Sequence, residues 1–165
     1  MSMYTAKIVS VARSYIGSRL WMYAVAKDNF GENTNKCNKF VYDVMVAAGI
    51  KPTPQVTISG WIWDTIRPPT AAEWASATVA IPYWNVVAEP QPGDVVAEAH
   101  HYSDATGHCG IVVGNKETVC YSSLLSGVIS LTDWGFRTDS KPTFRRFGVS
   151  DPGDWNVPAS SSRSA

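Results

Sequence analysis

Cys37 and His108 are the residues of this 165-residue chain whose types and surroundings best fit covalent catalysis. Downstream of Cys37, the apolar residues Phe40, Val41, Val44, Met45 and Ala48 recur at helical spacing, and Gly49 followed by Pro52 supplies a stop. The pattern predicts a helix from about Lys36 to Gly49, with Asn35 as its N-cap and Cys37 in its first turn. A thiol must become a thiolate to attack a carbonyl, and the unpaired N–H groups and dipole of a helix N-terminus favour negative charge there. The same N–H groups suit the oxyanion that forms when a thiolate adds to an amide. His108, in the run GHCGIVVG, enters an apolar strand behind a glycine, as a rigidly placed general base must. Cys followed by His in this order is the arrangement of a nucleophile and its base. The competing reading is a buried structural cysteine with an incidental strand histidine, since free Cys is among the most buried residue types.

The remaining polar candidates carry less chemistry. His100, His101, His108, Cys109 and Cys120 lie close in sequence, but zinc ligands come as spaced pairs such as CxxC or HxxxH, and none is present. No metal site is expected. His100 and His101 read as polar residues of a strand-end loop near the substrate. Asp94, in a Pro-Gly-Asp turn, reads as a turn residue, and neither it nor Asp104 is assigned a catalytic role. With three cysteines, at least one thiol is free within the chain.

These residues need a scaffold. Tyr4, Ile8, Val11, Tyr15 and Ile16 predict an amphipathic helix over residues 4–17, ending at Gly17. Residues 50–92 hold seven prolines and four tryptophans, with a short helical candidate at residues 71–77. Such a segment either walls a binding groove or covers the core, and both readings stay open. After Pro92-Gly93, strand-like runs cover residues 94–99, 107–114, 118–123, 128–131 and 143–147, separated by turn residues. An α+β fold follows, with N-terminal helices bearing the cysteine packed on an antiparallel sheet of about five strands bearing the histidine.

The hairpin between the second and third of these runs has two registers. A two-residue turn at Gly114-Asn115 sets Cys109 opposite Cys120, where a disulfide becomes conceivable in an oxidising compartment. A three-residue loop from Gly114 to Lys116 instead places Cys120 and Ser122 on the His108 face, because a shift of one residue reverses every side chain.

The bulk numbers bound the function. Hydrophobic residues make up 45% and charged residues 17%, as in a compact globular protein. Residues 1–150 are expected to form a single domain, and 151–165, rich in Ser, Pro and Gly, a flexible tail. Fourteen basic residues balance fourteen acidic ones, so no global field attracts nucleic acid. The N-terminus shows no Sec-type signal pattern, and no run reaches the roughly 18 apolar residues of a membrane span. Synthesis as a cytoplasmic species without membrane insertion is the expectation.

The segments NKCNKFVYDVMVAAGI, QPGDVVAEAH and GHCGIVVG, in that order, resemble the cysteine helix, "PGD" strand and "GH" strand of the NlpC and CHAP peptidoglycan hydrolases. The resemblance covers about residues 35–123. It implies a papain-like fold and cleavage of peptide bonds in the bacterial cell wall through a Cys37–His108 thioester mechanism without a cofactor. It also implies a third polar residue that orients the imidazole. By spacing this is Cys120, in place of the commoner His, Asn or Asp, and the register that puts Cys120 beside His108 agrees with it. Trp61, Trp63 and Tyr102 are the candidates for binding the peptidoglycan stem peptide. Within the superfamily, a chain without signal peptide or wall-binding repeats looks like the amidase effectors of type VI secretion systems. Such effectors act in the periplasm of a rival cell and are neutralised at home by a cognate immunity protein. The alternatives are a phage or housekeeping wall hydrolase, a non-catalytic wall- or partner-binding module, and a transglutaminase or acyltransferase.

Overall fold

The computed structural model describes residues 1–133 and 141–149; the tail expected over residues 151–165 lies outside them. Helix α1 (Met3–Ser14) opens on Ser2, whose hydroxyl accepts from the Thr5 amide, and buries Tyr4, Ile8 and Ala12. It stops short of the expected Gly17. Gly17 has a φ of 85° and donates its N–H to the carbonyl of Ile129, so the chain has turned away toward the sheet by that point.

Helix α2 (Cys37–Ala47) follows a loop and buries Phe40, Val41, Val44 and Met45. Its N-cap is Lys36, which makes no side-chain capping bond, and not the expected Asn35. The reason is local. The Lys36 side chain is fully buried and donates to the carbonyls of Met22 (3.4 Å), Tyr23 (3.3 Å) and Thr34 (2.9 Å). Those bonds fold the 22–34 loop back on itself and set the direction from which the chain enters the helix. Burial lowers the Lys36 ammonium pKa, and the carbonyl oxygens satisfy its donors. Helix α3 (Ala71–Ala75) is shorter than the expected 71–77 and begins with a capping box between Thr70 and Glu73.

The strands are β1 (Val56–Ile58), β2 (Thr65–Arg67), β3 (Trp84–Val87), β4 (Val95–Ala99), β5 (Gly107–Gly114), β6 (Glu117–Ser122), β7 (Val128–Thr132) and β8 (Thr143–Phe147). β1 and β2 pair as a separate two-stranded ribbon, and the others form a six-stranded sheet in the order β3-β8-β4-β5-β6-β7 with antiparallel pairings. The five expected strands are β4 to β8. β3 is the addition, an edge strand paired with β8.

One face of the sheet packs on the helices through Val95, Ala97, Ile111, Val113, Val119 and Ile129. On the other face Val96, Val112 and Phe144 form a smaller cluster. Because β4 and β5 are covered on both faces, they read as near-continuous apolar runs. Asp94 plays the expected turn role: its carboxylate accepts from the Gln91 amide (2.7 Å) and from Arg146 (2.9 and 2.8 Å). Arg145, also buried, donates to the carbonyls of Trp74, Ser76 and Val79, tying the segment after α3 to β8. The architecture is α+β, with N-terminal helices packed on an antiparallel sheet.

Candidate active site

Cys37 is the first residue of α2, and the helix lies against β5 and β6. His108 is the second residue of β5. Its approach depends on Gly107, where a Cβ would collide with the carbonyl of Glu98. The two strands thus come together more closely than any side chain at 107 allows.

Cys37 is hydrogen-bonded to the Cys109 thiol and to His108, and His108 also to Cys120. The Cys37 thiol is held well below its ordinary range. The largest cause is the hydrogen bond from Cys109; burial opposes it, and the hydrogen bond and charge of His108 reinforce it. Burial pushes His108 down, but its bonds to Cys120 and Cys37 and their charges raise it to about 10. The Cys109 thiol is raised, by burial first and then by Cys37. These directions favour the thiolate on Cys37, the imidazolium on His108 and the neutral thiol on Cys109. The position of Cys37 at the N-terminus of α2 also favours its thiolate.

The β5–β6 hairpin adopts the register that places Cys120 on the His108 face. Gly110 lies opposite Cys120 and Val112 opposite Thr118. Neither simple turn produces it alone. Gly114 pairs with Glu117 around Asn115-Lys116, Lys116 taking a φ of 54°, and an irregularity between Val112 and Gly114 moves the ladder by one residue. The alternative Cys109–Cys120 disulfide is absent: all three cysteines are free thiols, and Cys109 lies across from Ala97 on the helix face. Gly110 makes room for the arrangement. A Cβ there would stand 2.7 Å from the Cys120 Cβ and 2.8 Å from Thr118 Cγ2.

Cys37, His108 and Cys120 line a cavity of about 720 Å³, together with Asn35, Glu98 and Tyr102. Tyr102 therefore stands where the sequence places it. Trp61 and Trp63 do not: neither lines the cavity, and both project from the β1–β2 connection, 97% and 73% exposed. Trp74 and Trp84 are core residues, packed edge to face at 5.1 Å between ring centres. The tryptophans of residues 50–92 thus divide between surface and core. His100 packs against Tyr102 at 4.4 Å, and neither His100 nor His101 lines the cavity.

Several lining residues escape the sequence reading, among them Glu98, Asn35 and Tyr121. Glu98, 2% exposed, sits opposite His108 in the β4–β5 ladder. Only the strand register reveals it. Asn35 borders the cavity instead of capping the helix. Tyr121 lies next to Cys120 in β6, and burial followed by the charges of Cys37, Tyr23 and Asp104 pushes its hydroxyl up to about 12, so it stays a donor at neutral pH. Among the described residues no cluster of three or more His, Cys, Asp or Glu could hold a metal ion, and no helix is long and apolar enough to cross a membrane.

Chemically, the arrangement offers a nucleophile, a proton carrier beside it, and backbone N–H groups at the start of α2. No protein-family model matches the chain, and no curated protein matches it.

Proposed function

We propose that the chain is a papain-like cysteine amidase that hydrolyses a peptide bond in the stem or crosslink of bacterial peptidoglycan. The observation that carries the reading is the hydrogen-bonded pair of Cys37, at the first residue of α2, and His108, inside one open cavity. The ordered resemblance of the Cys37, Asp94 and His108 segments to the NlpC and CHAP hydrolases supplies the substrate class. The same resemblance leads us to an antibacterial effector of a type VI secretion system, with an immunity protein as its partner.

In this mechanism the Cys37 thiolate adds to the amide carbonyl, and the carbonyl electron pair moves to oxygen. The tetrahedral intermediate collapses as the His108 imidazolium gives its proton to the departing amine, leaving a thioester on Cys37. Neutral His108 then takes a proton from water, the hydroxide attacks the thioester, and the carboxylic acid leaves while the thiolate–imidazolium pair returns. Cys120, hydrogen-bonded to His108, orients the ring.

The test is digestion of purified Gram-negative sacculi by the wild type and by Cys37→Ala, with released fragments read by chromatography and mass spectrometry. Trimmed stems or crosslinks from the wild type alone support the amidase, and the fragment masses identify the bond. Intact sacculi after treatment with folded, reduced wild type leave a binding module as the better reading.

A further inference from the structure

We propose that Cys37 and Cys109 form a peroxide-reactive dithiol, in which Cys37 is oxidised first and Cys109 then closes on it as a reversible disulfide. That closure silences catalysis rests on the amidase reading above; the dithiol chemistry does not. The two thiols are in contact. Cys37 opens α2, Cys109 is the third residue of β5, and the helix packs on that strand. Both belong to the main core cluster, and Cys37 is hydrogen-bonded to the side chain and to the backbone of Cys109. Sulfurs held in this way need only a short further approach to reach the S–S separation of about 2.05 Å. Cys120 lies opposite Gly110 on the other face of the sheet and bonds His108, so it is not the partner.

Access differs between the two. Cys37 lines the open cavity, whereas Cys109 is fully buried and does not. Cys37 is itself only 5% exposed, which keeps a folded protein oxidant from its sulfur. A molecule as small as hydrogen peroxide, entering a cavity of about 720 Å³, meets Cys37 first. Peroxide-sensitive cysteines combine thiolate character and access with a second thiol that traps the product. Cys37 favours its thiolate, and Cys109 supplies that second thiol. The hydrolytic cycle leaves Cys109 free for this role, since His108 moves the proton and Cys120 orients the ring.

In the first step the Cys37 thiolate attacks one oxygen of hydrogen peroxide. The S–O bond forms as the O–O bond breaks, and the departing hydroxide takes the His108 proton and leaves as water. The sulfur has lost two electrons and the peroxide has gained them. The Cys109 sulfur then attacks the sulfenic sulfur of Cys37. The S–S bond forms, the S–O bond breaks, and the hydroxide takes the Cys109 proton and leaves as a second water. An added dithiol reopens the bridge by thiol–disulfide exchange. Without Cys109 the sulfenic acid meets further peroxide and becomes a sulfinic acid, which dithiols do not reduce.

The test treats the reduced full chain with hydrogen peroxide, blocks remaining thiols with iodoacetamide under denaturing conditions, and maps peptides by mass spectrometry without reduction. The expected result is loss of two of the three free thiols, a peptide joining Cys37 to Cys109, and return of all three thiols with dithiothreitol. Cys120→Ala should give the same joined peptide. Cys109→Ala should instead give a Cys37 sulfinic acid that dithiothreitol does not reverse. Wild-type thiols that survive peroxide, a wild-type Cys37 that accumulates as sulfinic acid, a bridge to Cys120, or a bridge between two chains overturns the proposal. The wild type alone decides this, so a variant that misfolds does not rescue it. Sacculus digestion followed in parallel separates the two claims. If the reduced protein cuts nothing while the joined peptide forms, the amidase reading fails and the dithiol stands. If the bridged protein cuts as fast as the reduced one, closure does not silence catalysis and that part of the proposal falls.

Discussion

The opposed shifts of Cys37 and His108 define a pH range in which both side chains favour their charged forms. The Cys37 pKa is lowered, so its thiolate contributes to stability above the unfolded value of about 9, and the contribution is lost as pH falls through the lowered folded value. His108 is raised from 6.5 to about 10. Its charged form stabilises the fold fully below 6.5, and that stabilisation is lost as pH rises through about 10. Between those limits both partners are charged. Iodoacetamide should therefore alkylate wild-type Cys37 rapidly at pH values well below 9, whereas in His108→Ala the reactive form should appear only at higher pH. Superimposable profiles, read by mass spectrometry, would sink the ion pair. Cys120 adds a separate expectation, because its hydrogen bond helps hold the imidazole charged. Cys120→Ala should move the alkaline limb of the kcat/KM profile to lower pH by about one unit, equivalent to a tenfold change in the protonation equilibrium. Cys120→Ser, which keeps a hydrogen-bonding group, should move it less. A limb that stays in place in both variants removes Cys120 from the site.

The elements that carry the site differ in how plainly the sequence announces them. α2 and β4 to β8 have strong local signals, in apolar spacing for the helix and apolar runs between turn residues for the strands. β3 lacks one. Trp84–Val87 lies in a proline-rich stretch, and its strand character comes from pairing with β8, about 60 residues away along the chain, a tertiary effect that propensity does not capture. The start of α2 is similar. Asn35 has the residue type of a cap, but the long-range bonds of Lys36 to Met22 and Tyr23 move the helix entry by one residue. The β5–β6 register depends on an irregularity beside Gly114, and on it depends which face Cys120 occupies. At Gly110 the two strands pack closely. Gly110→Ala forces a methyl group within 2.9 Å of the Val119 carbonyl as well as against Cys120 and Thr118. Overpacking of this kind costs about 1–3 kcal/mol. Chemical denaturation should show that loss, and the displaced Cys120 should lower kcat as well. An unaffected midpoint would mean that β5 and β6 separate at little cost.

At the scale of the whole molecule, the pairing of Cys37 with His108 was legible because each partner sits in a short motif that states its own placement. Cys37 opens a helical repeat, and His108 follows a glycine into a strand. The cavity around them was not legible, since Glu98 reaches it through strand pairing and Asn35 through a displaced cap. The tryptophans mark the same limit. Composition alone treats the four in residues 50–92 alike, whereas the fold buries Trp74 and Trp84 within 3% of full burial and leaves Trp61 and Trp63 on the β1–β2 ribbon. That ribbon belongs to a separate two-stranded sheet and shares no strand pairing with the six strands that carry His108 and Cys120. Its tip residues line no part of the cavity. Catalysis on a small substrate that reaches only the cavity should therefore be indifferent to them. The double variant Trp61→Ala/Trp63→Ala is expected to keep kcat/KM on a soluble peptidoglycan fragment within twofold of wild type. Its stability should change by no more than about 0.5 kcal/mol, as for surface substitutions generally. Trp84→Ala, by contrast, removes a ring packed against both Trp74 and Phe147 and should cost about 3–5 kcal/mol. A tenfold loss of kcat/KM in the surface double variant, with its melting temperature unchanged, would place the ribbon over the substrate and restore Trp61 and Trp63 as binding residues.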